Sequence, residues 1–286
     1  MKKDKTPTLL KIVRWVFPKL EAIAPFLAHR YFVKIFFTPL KYQVPEKEKE
    51  ILAKASLFTV TAAGLRIQCY SWGSGPVILL LHGWAGRASQ FRKFIEAFTG
   101  TGYRVVGFDG PAHGRSEGKK TNILEFEETL RKVYEEVGVP EGIIAHSFGG
   151  AAVLFAAMKG LRVKKLINVA SPTIGDEIIN TYLRAVNGSP ETGRFFKNWM
   201  KARFGKTFDE FTSLHFVQHL EQEIGLLLVH DENDKEVFLD HALQLKKVYP
   251  KAELFVTKGL GHTRILKDEA VIRKCVTFIG AQRLNN

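Results

Sequence analysis

Gly142-Ile143-Ile144-Ala145-His146-Ser147-Phe148-Gly149-Gly150 is the stretch whose reading decides the fold. A short apolar run passes through one serine straight into a small-residue helix that reaches Gly160. This is the strand–turn–helix context of a nucleophile elbow. So tight a turn forces a strained backbone on the serine and demands small residues two positions to either side. Here these are Ala145 and Gly149. A serine in a glycine-rich turn also serves as an ordinary helix cap, so the rest of the chain must decide between the two. If Ser147 is a nucleophile, its partners belong at the ends of neighbouring strands.

Outward from that stretch, strand-like and helical runs alternate. Leu57 to Thr61 and Leu65 to Trp72 read as a hairpin joined at Ala63-Gly64. Val77 to Leu81, Tyr103 to Phe108, Lys165 to Ala170, Gly225 to Val229 and Glu253 to Val256 read as further strands. Helices are expected over Ser89 to Phe98, Asn122 to Val137, Leu239 to Val248 and Asp268 to Arg283. Fully apolar strands separated by helices predict a mostly parallel, eight-stranded sheet covered on both faces. In such a sheet the ligand sits beyond the carboxyl ends of the strands. The beat breaks between Pro172 and Glu223, a strandless stretch carrying Tyr182, Phe195, Phe196, Trp199 and Phe204. It reads as a small helical cap, inserted at 172–223, over the active edge of the sheet. Its basic run (Arg194, Lys197, Lys201, Arg203, Lys206) reads as a solvated helix face, or else as a patch that attracts an anionic substrate or lipid surface.

The residues after the strands are chemically unusual. His82-Gly83-Trp84 follows Leu81: Gly83 permits a sharp turn, after which the Trp84 N–H can face the site. With the Phe148 N–H at the start of the elbow helix it makes two donors for an oxyanion. Asp109 to Ser116 follows Phe108, with Asp109, Gly114 and Ser116 expected to fix a tight loop. His230-Asp231-Glu232-Asn233-Asp234 follows Val229 as an acidic turn, and Lys258-Gly259-Leu260-Gly261-His262 follows the last strand. A serine hydroxyl needs a base with a pKa near 7 and a carboxylate to orient that base. His146 adjoins the serine on its strand and points away from it. His82 and His230 end strands, and His113 sits in a flanking loop. His262 alone lies in a Gly-flanked loop free to reach Ser147.

From Leu57 to Leu284 the chain resembles the α/β-hydrolase-fold serine esterases and lipases. His82-Gly83-Trp84, Asp109 to Ser116, the elbow at Ser147 and Gly261-His262 match that family's motifs in order, and His230, Asp234 and Val237 match its acidic loop. Ala145 departs from the usual elbow glycine, as it does in some family lipases, and Asp231 stands where the family usually has glycine. The resemblance implies a triad of Ser147, Asp234 and His262, with Asp231 the fallback acid and Asp176 a third candidate. It implies an oxyanion hole at Trp84 and Phe148 and an acyl-enzyme mechanism on a carboxylic ester, with an apolar acyl or aryl group drawn by the aromatic cap. A thioesterase or C–C bond hydrolase would use the same triad, and the fold also hosts non-catalytic binding proteins. A serine nucleophile argues against the fold's dehalogenases and epoxide hydrolases, which use a carboxylate there.

Composition sets the remaining expectations. The chain has 286 residues, enough for one large domain at 51–286 behind a basic, apolar extension at 1–50, the boundary marked by Pro45 and the alternating Glu46 to Glu50, which read as a solvated linker or a helix start. Residues 1–56 hold twelve Lys/Arg against five Asp/Glu, so +7 of the formal +13 lies there. Lys11 and Arg14 interrupt any secretory core after Lys2, Lys3 and Lys5, and no apolar run is long enough to span a bilayer. Pro18, Pro25 and Pro39 are expected to break the segment Leu9 to Leu40 into short helices. That segment is expected to meet a membrane surface, a second subunit or its own domain. A cytoplasmic protein, in touch at most with a membrane surface, is the expected setting. The expected partner is a small-molecule or lipid-like ester, with no nucleic acid, since no recognition motif accompanies the charge. No cofactor and no metal are implied. Cys69 and Cys275 read as buried free thiols.

Overall fold

Runs rich in Val, Ile, Leu and aromatic residues pair into one sheet. The structure, a computed structural model, describes residues 8–280. Its strands are β1 (Ser56–Ala62), β2 (Leu65–Trp72), β3 (Val77–Leu81), β4 (Arg104–Phe108), β5 (Gly142–His146), β6 (Lys165–Val169), β7 (Gly225–Asp231) and β8 (Glu253–Thr257). Their spatial order is β1-β2-β4-β3-β5-β6-β7-β8. β1 and β2, and β2 and β4, run antiparallel; every other neighbouring pair is parallel. Ala63 and Gly64 turn the first hairpin with φ of 49° and 70°, the two left-handed residues that match a turn to strand twist.

Continuous apolar strands follow from burial on both faces. Leu79, Leu81, Val106, Ile143, Leu166 and Leu226 enter one apolar layer beneath α5 (Ile123–Val137) and α6 (Phe148–Met158). Ile78, Leu80, Val105, Ile144, Ile167 and Leu227 enter the other, under α4 (Arg92–Gly100) and α12 (Glu269–Gly280). Cys69 and Cys275 are free and buried, one in each layer; burial pushes both thiols up to about 12.

Several expectations change in detail. The helix expected from Ser89 splits into a 3₁₀ turn, Ala88–Phe91, and α4. Asn122 caps α5 rather than joining it, accepting from the N–H of Leu124 and Glu125. The acidic turn begins later than expected, because β7 runs on through His230 and Asp231, which pair with Val256 and Thr257. Glu46 to Glu50 is the helix start of the two expected readings, exposed at every position but Glu48. It opens α3 (Glu46–Ala53), and Glu48 is buried, its carboxylate accepting from Arg87 Nε at 2.6 Å and Ser89 Oγ at 2.8 Å. Lys2, Lys3, Lys5 and the end of the last expected helix lie outside the described residues.

The described residues fall into two compact units, one of residues 39–173 with 213–280 and one of residues 8–38 with 174–212. The sheet belongs to the first. The second joins α1 (Thr8–Ile23) and α2 (Pro25–Phe36) to α7 (Gly175–Val186) and α8 (Pro190–Phe204). They share a core of Phe17, Phe32, Ile179, Leu183, Phe196 and Met200. Pro25 does begin a helix, but Pro18 does not end one; it lies inside α1. A proline there leaves the carbonyl four residues back without its donor. That carbonyl belongs to Arg14, and Asn187 Nδ2 donates to it at 3.2 Å. Asn187, at φ 57° just past α7, is held in turn by the Arg14 guanidinium. The missing intrahelical bond is replaced from outside the helix.

Candidate active site

Ser147 occupies the sharp turn between β5 and α6 at φ 52°, ψ −124°. That is a region L-residues avoid, and holding a residue there costs on the order of 1–3 kcal/mol. The surroundings over-determine it. Ser147 N–H donates to Val169 O at 2.8 Å, and its carbonyl accepts from Ser171 Oγ at 2.8 Å and Gly150 N–H at 2.9 Å. A Cβ at Gly149 would stand 2.7 Å from the carbonyl oxygens of both Leu81 and His82, so only glycine fits beneath the turn. Ala145 is fully buried and accommodated at the other flanking position.

His262 and Asp234 meet. His262 Nδ1 lies 2.8 Å from Asp234 Oδ2, and both side chains are almost wholly covered. This bond keeps the His262 proton on Nδ1 and leaves Nε2 as the basic nitrogen. Burial works to raise the Asp234 pKa, but the hydrogen bond and charge of His262, with the N–H groups of Val237 and Glu236, hold it below the usual carboxylate value. The loop expected around His262 is instead one turn of helix, α11 (Gly261–Arg264).

Asp231 has different work. Its carboxylate accepts from the N–H of Asn233, Leu260 and Gly261 and from Thr257 Oγ1, at 2.8–3.0 Å. It therefore pins the two residues immediately before His262 to the end of β7. Burial again opposes ionisation, and these donors overcome it, keeping the carboxyl below its usual pKa. The third candidate acid, Asp176, sits in the first turn of α7 and pairs with Lys197.

The loop after β3 lies directly against the serine. A Cβ added at Gly83 would come 2.8 Å from Ser147 Cβ, so Trp84 follows directly on a residue packed against the serine. The Trp84 and Phe148 rings meet edge to face at 5.3 Å between centroids, both half-buried. Two buried histidines hold this loop. His82 Nδ1 donates to Gly83 O at 2.7 Å while its Nε2 accepts from Gly110 N–H at 2.8 Å. His113 Nδ1 donates to Pro111 O at 2.8 Å while its Nε2 accepts from Ala85 N–H at 3.0 Å. Either ring would lose an acceptor on protonation. Burial lowers His82 to about 4 and His113 to about 3. Asp109 ties the next loop down as expected, accepting from Ala88 N–H, Tyr70 Oη and Arg115 N–H.

Sequence reading missed His146 as a support. Its Nε2 donates to the His262 carbonyl at 2.8 Å, with the two rings 4.7 Å apart. Burial lowers its pKa to about 3. Its place beside the serine on β5 was the available signal, since the next strand ends carry the partners. Among the described residues no group of His, Cys, Asp and Glu is arranged to hold a metal.

Residues 76–266 match the alpha/beta hydrolase fold family. The chain belongs to that family. Within this alpha/beta hydrolase-fold chain the matched span contains the elbow, Asp234 and His262. The non-heme chloroperoxidase CPO-A1 of Kitasatospora aureofaciens is 22% identical over 256 residues, covering 71% of this chain and 90% of that protein. Other curated relatives match over only 31%, 37%, 30% and 36% of their own lengths, so the chain spans about a third of each. An esterase of Pyrococcus furiosus superposes with a TM-score of 0.63 at 20% identity, over 85% of this chain and 96% of that one. A bacterial membrane phospholipase A superposes with a TM-score of 0.63 at 16% identity, over 94% of this chain and 99% of that one. At these identities the two structures speak for the shared alpha/beta hydrolase fold.

Proposed function

We propose that this protein is a serine hydrolase that cleaves a carboxylic ester through an acyl-enzyme. The observation that carries the reading is the 2.8 Å bond between His262 Nδ1 and Asp234 Oδ2, in a chain whose Ser147 is held at φ 52° on an elbow. His262 Nε2 takes the Ser147 proton as Oγ attacks the carbonyl, and Asp234 holds the imidazole and stabilises its charged form. The Trp84 and Phe148 N–H groups bind the tetrahedral oxyanion, a contribution worth about 10²–10³ in rate per donor. His262 then protonates the leaving alcohol, and water clears the acyl group by the same route in reverse.

The acyl or aryl group is apolar in this reading, because the Trp84 and Phe148 rings flank the oxyanion donors. The test is Ser147→Ala on p-nitrophenyl esters of two to eight carbons, beside thioesters and vinylogous diketones. A loss of at least about 10³ in kcat on the esters is expected. Hydrolysis that survives the substitution refutes the assignment. A preference for thioesters or for C–C cleavage moves the substrate class and keeps the triad.

A further inference from the structure

α1 and α2 each carry two apolar stripes, and the fold uses only one. The inner stripe, Phe17 on α1 with Ala28 and Phe32 on α2, is buried in the core shared with α7 and α8. The outer stripe is Ile12, Trp15, Val16 and Ile23 on α1, spaced i, i+3, i+4 and i+11, then Phe26, Leu27 and Tyr31 on α2. Such spacing puts each set on one face of its helix. All seven side chains are exposed, Trp15 by 66%, Ile23 by 84% and Phe26 by 62%. Scattered apolar residues on a surface need no explanation, but seven large ones within twenty residues mark a contact face.

The charges say what the face meets. Residues 8–38 hold Lys11, Arg14, Lys19, Arg30 and Lys34 against a single acid, Glu21. Glu21 is turned inward, its carboxylate accepting from Ser189 and Thr192 at the start of α8. Cations also stand within the stripe itself. Lys19 Nζ lies 3.1 Å from the Trp15 ring centroid and the Arg30 guanidinium 5.5 Å from that of Phe26. A second copy docked by this face about a two-fold axis would bring cations against cations. Among the described residues no helix is long and apolar enough to cross a membrane. Apolar side chains for the acyl boundary, aromatic rings at head-group depth and Lys/Arg for phosphates fit an interfacial helix pair.

We propose that the outer face of α1 and α2 lays this protein on an anionic lipid bilayer. The proposal stands apart from the reaction at Ser147. Its test is co-sedimentation of the full chain with vesicles of phosphatidylcholine alone and of phosphatidylcholine with a quarter phosphatidylglycerol. Wild type is expected to bind the anionic vesicles, to release as salt rises from 0.05 to 0.5 M, and to leave the neutral ones largely free. Trp15→Glu with Phe26→Glu should lower the partition coefficient by about a hundredfold, tenfold for each lost aromatic contact. Its thermal unfolding midpoint and its turnover of a soluble short ester should stay at wild-type values. Should the chain hydrolyse no ester, the unfolding midpoint alone certifies the variant, and the vesicle result still decides. Absence of wild-type binding, or equal binding by the variant, overturns the proposal. So does a dimer that forms without lipid and is broken by the same pair of substitutions, which would assign the face to a second copy.

Discussion

Acidification to pH 5.5 should cost this fold about 4 kcal/mol. His82, His113 and His146 are buried with every described ring hydrogen bond made in the neutral form, and burial holds them near 4, 3 and 3. In the unfolded chain each returns to about 6.5. A histidine depressed in this way costs nothing while pH stays well above 6.5. Below that the unfolded state binds the proton and the folded state does not, so stability falls with pH. At pH 5.5 each group contributes a loss of between about 1 and 2 kcal/mol, and the three together about 4. His230, also depressed by burial, adds in the same direction. Asp234 and Asp231 do not oppose the trend. Their folded pKa values are lowered, so the stability they add is present above about 4 and is lost only as pH falls below that. Against a typical 5–15 kcal/mol for a whole domain, the effect is large. Urea unfolding at pH 8.0 and 5.5, followed by circular dichroism, measures it. His113→Gln should reduce the loss to about 3 kcal/mol by removing one titrating ring. A loss under about 1 kcal/mol, or imidazole resonances of these residues titrating near 6.5, would refute the reasoning.

Other substitutions separate roles that share one small region. Asp234→Asn should lower kcat by about 10⁴ with KM little changed, because the amide favours the wrong His262 tautomer. Asp231→Asn should lower kcat by about tenfold and cost about 2–3 kcal/mol in unfolding, because three backbone N–H groups and the Thr257 hydroxyl lose a charged acceptor; the reverse order of kcat effects would make Asp231 the acid. Ser147→Gly should abolish ester hydrolysis and still stabilise the protein by about 1 kcal/mol, since glycine adopts φ 52° without strain. A lower unfolding midpoint for that variant would show that the serine is not strained.

Much of the sheet and the elbow was legible because their signals are local. A strand buried on both faces is apolar at every position, as Val77 to Leu81 is. A sharp turn into a helix must place small residues around Ser147, and Ala145 and Gly149 stand there. Choosing between Asp231 and Asp234 was harder, as two carboxylates three residues apart have the same chemistry. What separates them is where β7 stops. It runs through Asp231, which leaves that side chain facing the backbone before His262 and sends Asp234 to the ring. No periodicity carries that length. Pro18, Glu48 and His146 share the difficulty in another form. Each behaves against its local sequence because of one distant partner: Asn187 for the Arg14 carbonyl, Arg87 for Glu48, and the His262 carbonyl for His146. A single hydrogen bond across 39, 116 or 173 residues leaves no pattern in the chain.

The extension was opaque for a different physical reason. Periodicity identifies a helix face when one stripe is apolar and the rest polar. α1 has two stripes, Phe17 with Val13 and Leu20 on one, and Ile12, Trp15, Val16 and Ile23 on the other, so their signals merge into a helix that looks apolar on too many sides. Packing resolves them. Once the side bearing Phe17 is covered by the core shared with α7 and α8, the uncovered stripe is distinct, with Lys19 and Arg30 standing against its Trp15 and Phe26 rings. The same logic explains why Glu21 is no counterweight to them: it lies on the covered side, bound to Ser189 and Thr192. Charge summed along the sequence counts Glu21 against Lys19 and Arg30, whereas charge sorted by face leaves the outer stripe purely cationic. That sorting favours an anionic surface over a second copy of the chain, and it becomes available only after the helices are packed.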